Sequence, residues 1–143
     1  MNKAYIVMKK GYEYDDNIYN ETEGGTPKTV CFSKEDAIEK AKELNVKEYQ
    51  TSSITEFSYE YEECVNVELS VFESFNKSLV EKYGKIETKY SWDNTEYWLH
   101  PKANQDEIDQ YCKMVSISFY EVVEVDVDMS SWRDSQINSI VDN

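Results

Sequence analysis

One histidine, three cysteines and a single arginine are the residues with which this chain could do nucleophilic, metal or anion chemistry. His100 stands in Trp98-Leu99-His100-Pro101, just ahead of a turn. As a general base it would need a nucleophile or an orienting carboxylate at a recognisable spacing. Neither Cys64, Cys112 nor any acidic residue supplies one, so His100 is expected to be a surface or turn histidine. A zinc site needs His and Cys ligands close together. His100 and Cys112 are twelve residues apart, and there is no CxxC or HxxxH. Cys31, Cys64 and Cys112 are odd in number and sit among apolar or aromatic neighbours. They read as buried free thiols in a reducing cytoplasm.

Oxygen chemistry is no better supported. Tyr14-Asp15-Asp16-Asn17 with Glu21 and Glu23 is the densest cluster for a hard cation, but it lacks the spacing and the closing bidentate Glu of a calcium loop. Phosphate-cradling patterns are absent: Gly24-Gly25 leads into Pro27 and a short strand, not into a helix. Arg133 is the sole arginine against fourteen lysines, so bidentate clamps for anionic substrates are scarce. No cofactor and no metal are expected.

Charge and aromatic content remain. The chain has 143 residues with 15 Lys+Arg against 29 Asp+Glu, a formal net charge of −14. Direct nucleic-acid binding is therefore not expected, because the excess carboxylates repel phosphate. Twelve Tyr, three Trp and five Phe argue against disorder despite that charge. The negative charge is concentrated beyond residue 50, and Glu56, Glu60, Glu62, Glu63, Glu68 and Glu73 form a dense run. With Glu124, Asp126 and Asp128 they are candidates for a coherent negative face. Trp92, Tyr97 and Trp98 flank the turn Asp93-Asn94-Thr95 and are candidate contact anchors.

These features must be carried by one domain, since the length leaves no room for two. The apolar run Ala4–Met8 is too short for a signal peptide, whose core is roughly 7–15 residues. No run approaches the roughly 20 apolar residues of a membrane span. A cytoplasmic protein without membrane contact is expected.

Alternation predicts a central strand over 3–9, and Gly, Asp, Asn and Glu predict loop over 11–27, interrupted by Tyr12, Tyr14 and Tyr19, which predict packing or pairing over part of its length. A short strand follows at Thr29–Phe32. Ser33 caps a helix with Ala37, Ile38, Ala41 and Leu44 on one face and Asn45 at its end. Residues 54–61 read as an exposed strand or as the acidic first turn of the next helix. That helix is predicted from about Cys64 to Tyr83, closed by Gly84. A hairpin is predicted over 85–99, with Trp92 on its first strand. A short helix follows, with Asn104 and Glu107 as a capping box. The last strand spans 117–128 with Ile117, Phe119, Val123, Val125 and Val127 on its apolar face. Residues 130–143 read as a frayed terminal helix around Trp132, Ile137, Ile140 and Val141.

The sum is an α+β domain over 1–143, with a mainly antiparallel sheet and about three helices packed on one face. The functional expectation is a small acidic, non-catalytic interaction protein. It would act by contact with a protein partner, as an inhibitor or decoy for a basic, nucleic-acid-handling protein. Two alternatives stand beside it: a small enzyme or ligand-binding domain with an unrecognised site, and a subunit of a homo-oligomer. The sequence leaves the oligomeric state open.

Overall fold

The computed structural model describes residues 2–15, 18–51, 54–57, 60–86 and 98–127. It contains strands β1 (Asn2–Asp15) and β2 (Ile18–Cys31) and helix α1 (Lys34–Thr51). Two short 3₁₀ turns come next, Ile54–Phe57 and Tyr61–Cys64. Helices α2 (Leu69–Tyr83) and α3 (Gln105–Met114) and strand β3 (Tyr120–Val127) complete the order. The sheet is antiparallel with order β2-β1-β3, so β1 is central, as its two apolar faces predict. The α+β architecture stands, with three strands and three helices among the described residues.

In the segment 11–27 the pairing extends further than expected: residues 11–15 and 18–27 are strand. β1 and β2 stay paired out to Asp15 opposite Ile18, through two register shifts. The glycines serve that pairing. A Cβ on Gly25 would lie 2.4 Å from the Lys9 carbonyl oxygen, so the strands approach there only because position 25 has no side chain. Aromatic rings hold the outer half of the hairpin: Tyr14 lies 5.0 Å from Tyr19, and Tyr19 stacks at 5.2 Å on Phe57.

α1 begins where Ser33 predicts, with the Ser33 Oγ accepting from the Asp36 amide. It runs past Asn45 to Thr51, because Ala37, Ala41 and Tyr49 keep one face buried. Ile38, expected on that face, is 50% exposed. Asn45 does not end the helix; its side chain crosses to the sheet. Its Oδ1 accepts from the amides of Phe119 (2.7 Å) and Tyr120 (2.9 Å), and its Nδ2 donates to the Tyr120 carbonyl (3.2 Å).

The segment read as strand or helical turn is neither: its two 3₁₀ turns sink Ile54 and Cys64 into the core. The Cys64 thiol donates to the Ile54 carbonyl. α2 starts at Leu69, later than predicted, because Val65 is extended and forms a bridge with Val115. The β-branched residues there take their strand preference. Gly84 closes α2 with φ 96°, its amide bonding to the Val80 carbonyl. In the predicted hairpin, Lys85, Ile86, Trp98 and Leu99 are not strand. The rest of it, and the predicted terminal helix with Asp128, lie outside the described residues. α3 carries the predicted capping box, with both reciprocal bonds at 2.9 Å.

β3 is shorter than predicted and turned over. Phe119 and Tyr120 are consecutive yet both buried, so the inward face changes parity there. Tyr120 and Val122 then face the core, with Val122 opposite Val7, while Val123 is left exposed. α1 packs on β1 and β3. Tyr111 of α3 packs against Tyr49 of α1 and Phe72 of α2, each pair with rings 5.4 Å apart. These rings tie the three helices into one core.

Candidate partner-contact surface

Between Lys47 and Lys77 the chain holds no basic residue. Within that stretch Glu60, Glu62, Glu63 and Glu68 are exposed and Glu73 is half-buried. Glu56 falls in the first 3₁₀ turn. The backbone that carries these carboxylates is fastened from beneath. Cys64 and Val65 are buried beside Val115. The Asn66 amide donates to the Met114 carbonyl, and the Ser116 amide donates to the Cys64 carbonyl. Two side chains add to this: Asn66 Nδ2 donates to the Val115 carbonyl at 2.9 Å, and Ser116 Oγ to the Glu63 carbonyl at 2.6 Å. Cys64 is a core thiol rather than a nucleophile: burial pushes its pKa up to about 11, with Glu63 adding to the effect.

Sequence reasoning found the carboxylates but missed Asn66 and Ser116, which hold their backbone. A signal was present, since Asn66 is a lone polar residue between Val65 and Val67.

The other candidates are placed elsewhere. Trp98 is half-buried, and it precedes Leu99 and His100, which are both buried. The His100 ring lies 5.3 Å from that of Tyr83, at the C-terminal end of α2. Glu68 is at the N-terminal end. The fifteen residues between span roughly 22 Å at 1.5 Å each. Trp98 and the acidic run are therefore not brought together. Trp92 and Tyr97 lie outside the described residues. The acids of β3 also stand apart. Ser116 meets Glu63 before the strand begins, and Asp126 comes six residues beyond Tyr120, roughly 20 Å along an extended chain.

His100 is buried at 4% exposure, not at the surface. Its Nδ1 accepts from the Lys102 amide at 3.0 Å, and its Nε2 lies 2.8 Å from the Gly84 carbonyl. The ring thereby joins the end of α2 to the turn before α3.

Among the described residues no group of three or more His, Cys, Asp or Glu is placed to hold a metal ion. No described helix is long and apolar enough to cross a membrane. Three cavities have fully described walls. One of about 280 Å³ lies between α1 and β3, lined by Ile38, Ala41, Asn45, Tyr120 and Val122 among others. One of about 220 Å³ lies beside Tyr12, Tyr19 and Phe57. One of about 430 Å³ lies between α1 and α3 over Val46 and Ile108. None of these three is lined by His100. No protein-family model, curated protein or solved structure matches the chain.

Proposed function

We propose that this is an acidic, non-catalytic interaction domain that binds a basic protein partner through the Glu60–Glu68 surface, with Glu73 at its margin. The partner class that fits is a nucleic-acid-handling protein whose basic groove the carboxylates occupy in place of phosphates. One observation carries the reading: four exposed carboxylates ride on a backbone that Asn66, Ser116 and the Val65–Val115 bridge fasten to the core. A surface ordered before binding costs little entropy when it binds. A cluster of one sign speeds encounter with an oppositely charged groove.

The test is a pull-down from host lysate at low and high salt. It uses the wild-type chain and a variant with Glu60, Glu62, Glu63 and Glu68 all changed to Gln. Circular dichroism checks that the variant is folded. Recovery of a basic protein by wild type only, and only at low salt, supports the reading. Equal recovery by the variant refutes it.

A further inference from the structure

The outer edge of β3 carries a second docking feature, built from different residues. β3 is an edge strand, paired only with β1 among the described residues. Just ahead of the strand the Lys10 amide donates to the Phe119 carbonyl at 2.8 Å, while the Phe119 amide goes to Asn45, so the β1-facing bonds fall on the odd-numbered residues. Bonded pairs alternate along an antiparallel ladder. The register continues without a shift, so Glu121, Val123 and Val125 turn their backbone groups to β1. Tyr120, Val122, Glu124 and Asp126 turn theirs outward.

The outward groups of Tyr120 are already taken. Asn45 accepts from its amide and donates to its carbonyl, as a neighbouring strand would. The amide side chain of α1 thus stands where an added strand would end. Beyond it, no described residue pairs with the outer side of Val122, Glu124 or Asp126.

Two further observations define what fits there. The cavity of about 280 Å³ runs between α1 and this edge, with Ile38, Ala41, Tyr120 and Val122 in its wall. A residue paired with Val122 would project its side chain on the same face, into that cavity. The edge is also acidic: Glu121, Glu124 and Asp126 are exposed, and Glu124 has Lys3 near it at 3.4 Å. Charges on an edge strand repel copies of the same strand. The same charges attract a basic one.

We infer that β3 accepts an extended basic segment of a partner protein by strand addition, with one apolar side chain seated between α1 and Val122. Running antiparallel to β3, its residues facing Asp126, Glu124 and Glu121 are basic and the one facing Val122 is apolar. Backbone pairing supplies affinity, while the cavity and the carboxylates set the sequence.

The probe is a fluorescein-labelled peptide, acetyl-Lys-Thr-Lys-Thr-Leu-Lys-amide, titrated into the full chain by anisotropy at low salt. Hydrogen exchange on the same complex is followed by NMR. The expected result is saturable binding with new protection at the amides of Val122, Glu124 and Asp126 and none at Glu121, Val123 or Val125. N-methylation of the leucine and the first two lysines removes three edge bonds and weakens binding about tenfold or more. N-methylation of the two threonines, whose amides point away, leaves it unchanged. Replacing the lysines by glutamate abolishes it, and Asp126→Lys in the protein weakens it.

The inference is overturned if both N-methylated peptides bind alike, since the contact is then charge alone. It is overturned if no binding or no edge protection appears. It is also overturned if the free protein is a dimer with the same three amides protected, which would make a second copy the occupant. The variant with Glu60, Glu62, Glu63 and Glu68 changed to Gln separates the two surfaces. Unchanged peptide affinity in that variant keeps the site on β3, and lost affinity moves it to the other surface.

Discussion

Replacing Asn45 by Ala removes three hydrogen bonds that link α1 to the first residues of β3. The amides of Phe119 and Tyr120 lose their acceptor beside a largely buried pair of rings. A buried polar group left unpaired costs about 1–3 kcal/mol. The adjoining cavity of about 280 Å³ is open enough for water to recover part of that for one of them. Alanine regains about 0.5 kcal/mol of helix propensity. The expected net loss is about 2–3 kcal/mol, a large share of the roughly 5–15 kcal/mol typical of a domain. Urea unfolding followed by far-ultraviolet circular dichroism is the assay. With a slope of about 1–3 kcal/mol per molar, the midpoint falls by about 0.7–3 M. Asn45→Asp keeps the acceptor for both amides and loses only the donor to the Tyr120 carbonyl, so it is expected to fall between wild type and Ala. A loss under about 0.5 kcal/mol for Asn45→Ala, the range of an ordinary surface change, would refute the assignment of Asn45 as the strand's anchor.

Gly84→Ala isolates backbone strain, because an added Cβ there meets nothing within 4 Å, yet φ is 96° with ψ 173°. That region is nearly closed to residues with a side chain, so a loss of about 1–3 kcal/mol in urea unfolding is expected; no loss would show that α2 can end another way. With its thiol raised to about 11, Cys64 is expected to resist a disulfide reagent at pH 8 in the native state and to react on unfolding, while half-exposed Cys31 reacts first. Fast labelling of Cys64, read by mass spectrometry, would contradict its place in the core. Glu107 is held below the usual carboxylate range first by the Tyr83 hydroxyl, then by the Asn104 amide and Lys82. A depressed folded value gives stability that is complete above the unfolded value of about 4.3 and is lost as pH falls through the folded one. Glu107→Gln is therefore expected to flatten stability against pH on the acid side, and an unchanged slope would count against the bond to Tyr83.

Local chemistry was legible in the sequence. The Asn104–Glu107 capping box, the Gly84 stop, the Ser33 start and the central place of β1 each depend on residues a few positions apart. What escaped depends on distant partners. Gly11 and Gly25 look like loop residues until β1 and β2 are laid side by side, when the missing side chains let the strands close, and Gly24 supplies a positive φ of 82°. The inward face of β3 is set by Asn45, 75 residues from Tyr120, so alternation within 117–128 named the wrong valines. α2 starts late because Val65 bridges to Val115. For the candidate surface, composition exposed the carboxylates of Glu60–Glu68. The fastening by Ser116 could not be read, because it joins positions 53 residues apart. His100 escaped because its acceptor, the Gly84 carbonyl, is backbone and leaves no mark on residue type.

The pairing of Asn2 with Val127 has a consequence for how the chain is made. Of the described elements β1 is the first to leave the ribosome and β3 the last. At about 5–20 residues per second, the 96 residues from Cys31 to Val127 take roughly 5–19 s to synthesise. Throughout that interval the edge of β1 that β3 will cover is unpaired, and Val7, wholly buried in the finished domain, lacks its partner Val122. The nascent chain thus offers a bare strand edge to other nascent chains. The stretch from Glu60 to Glu68, with no basic residue between Lys47 and Lys77, gives those chains a like-charged segment that opposes such pairing.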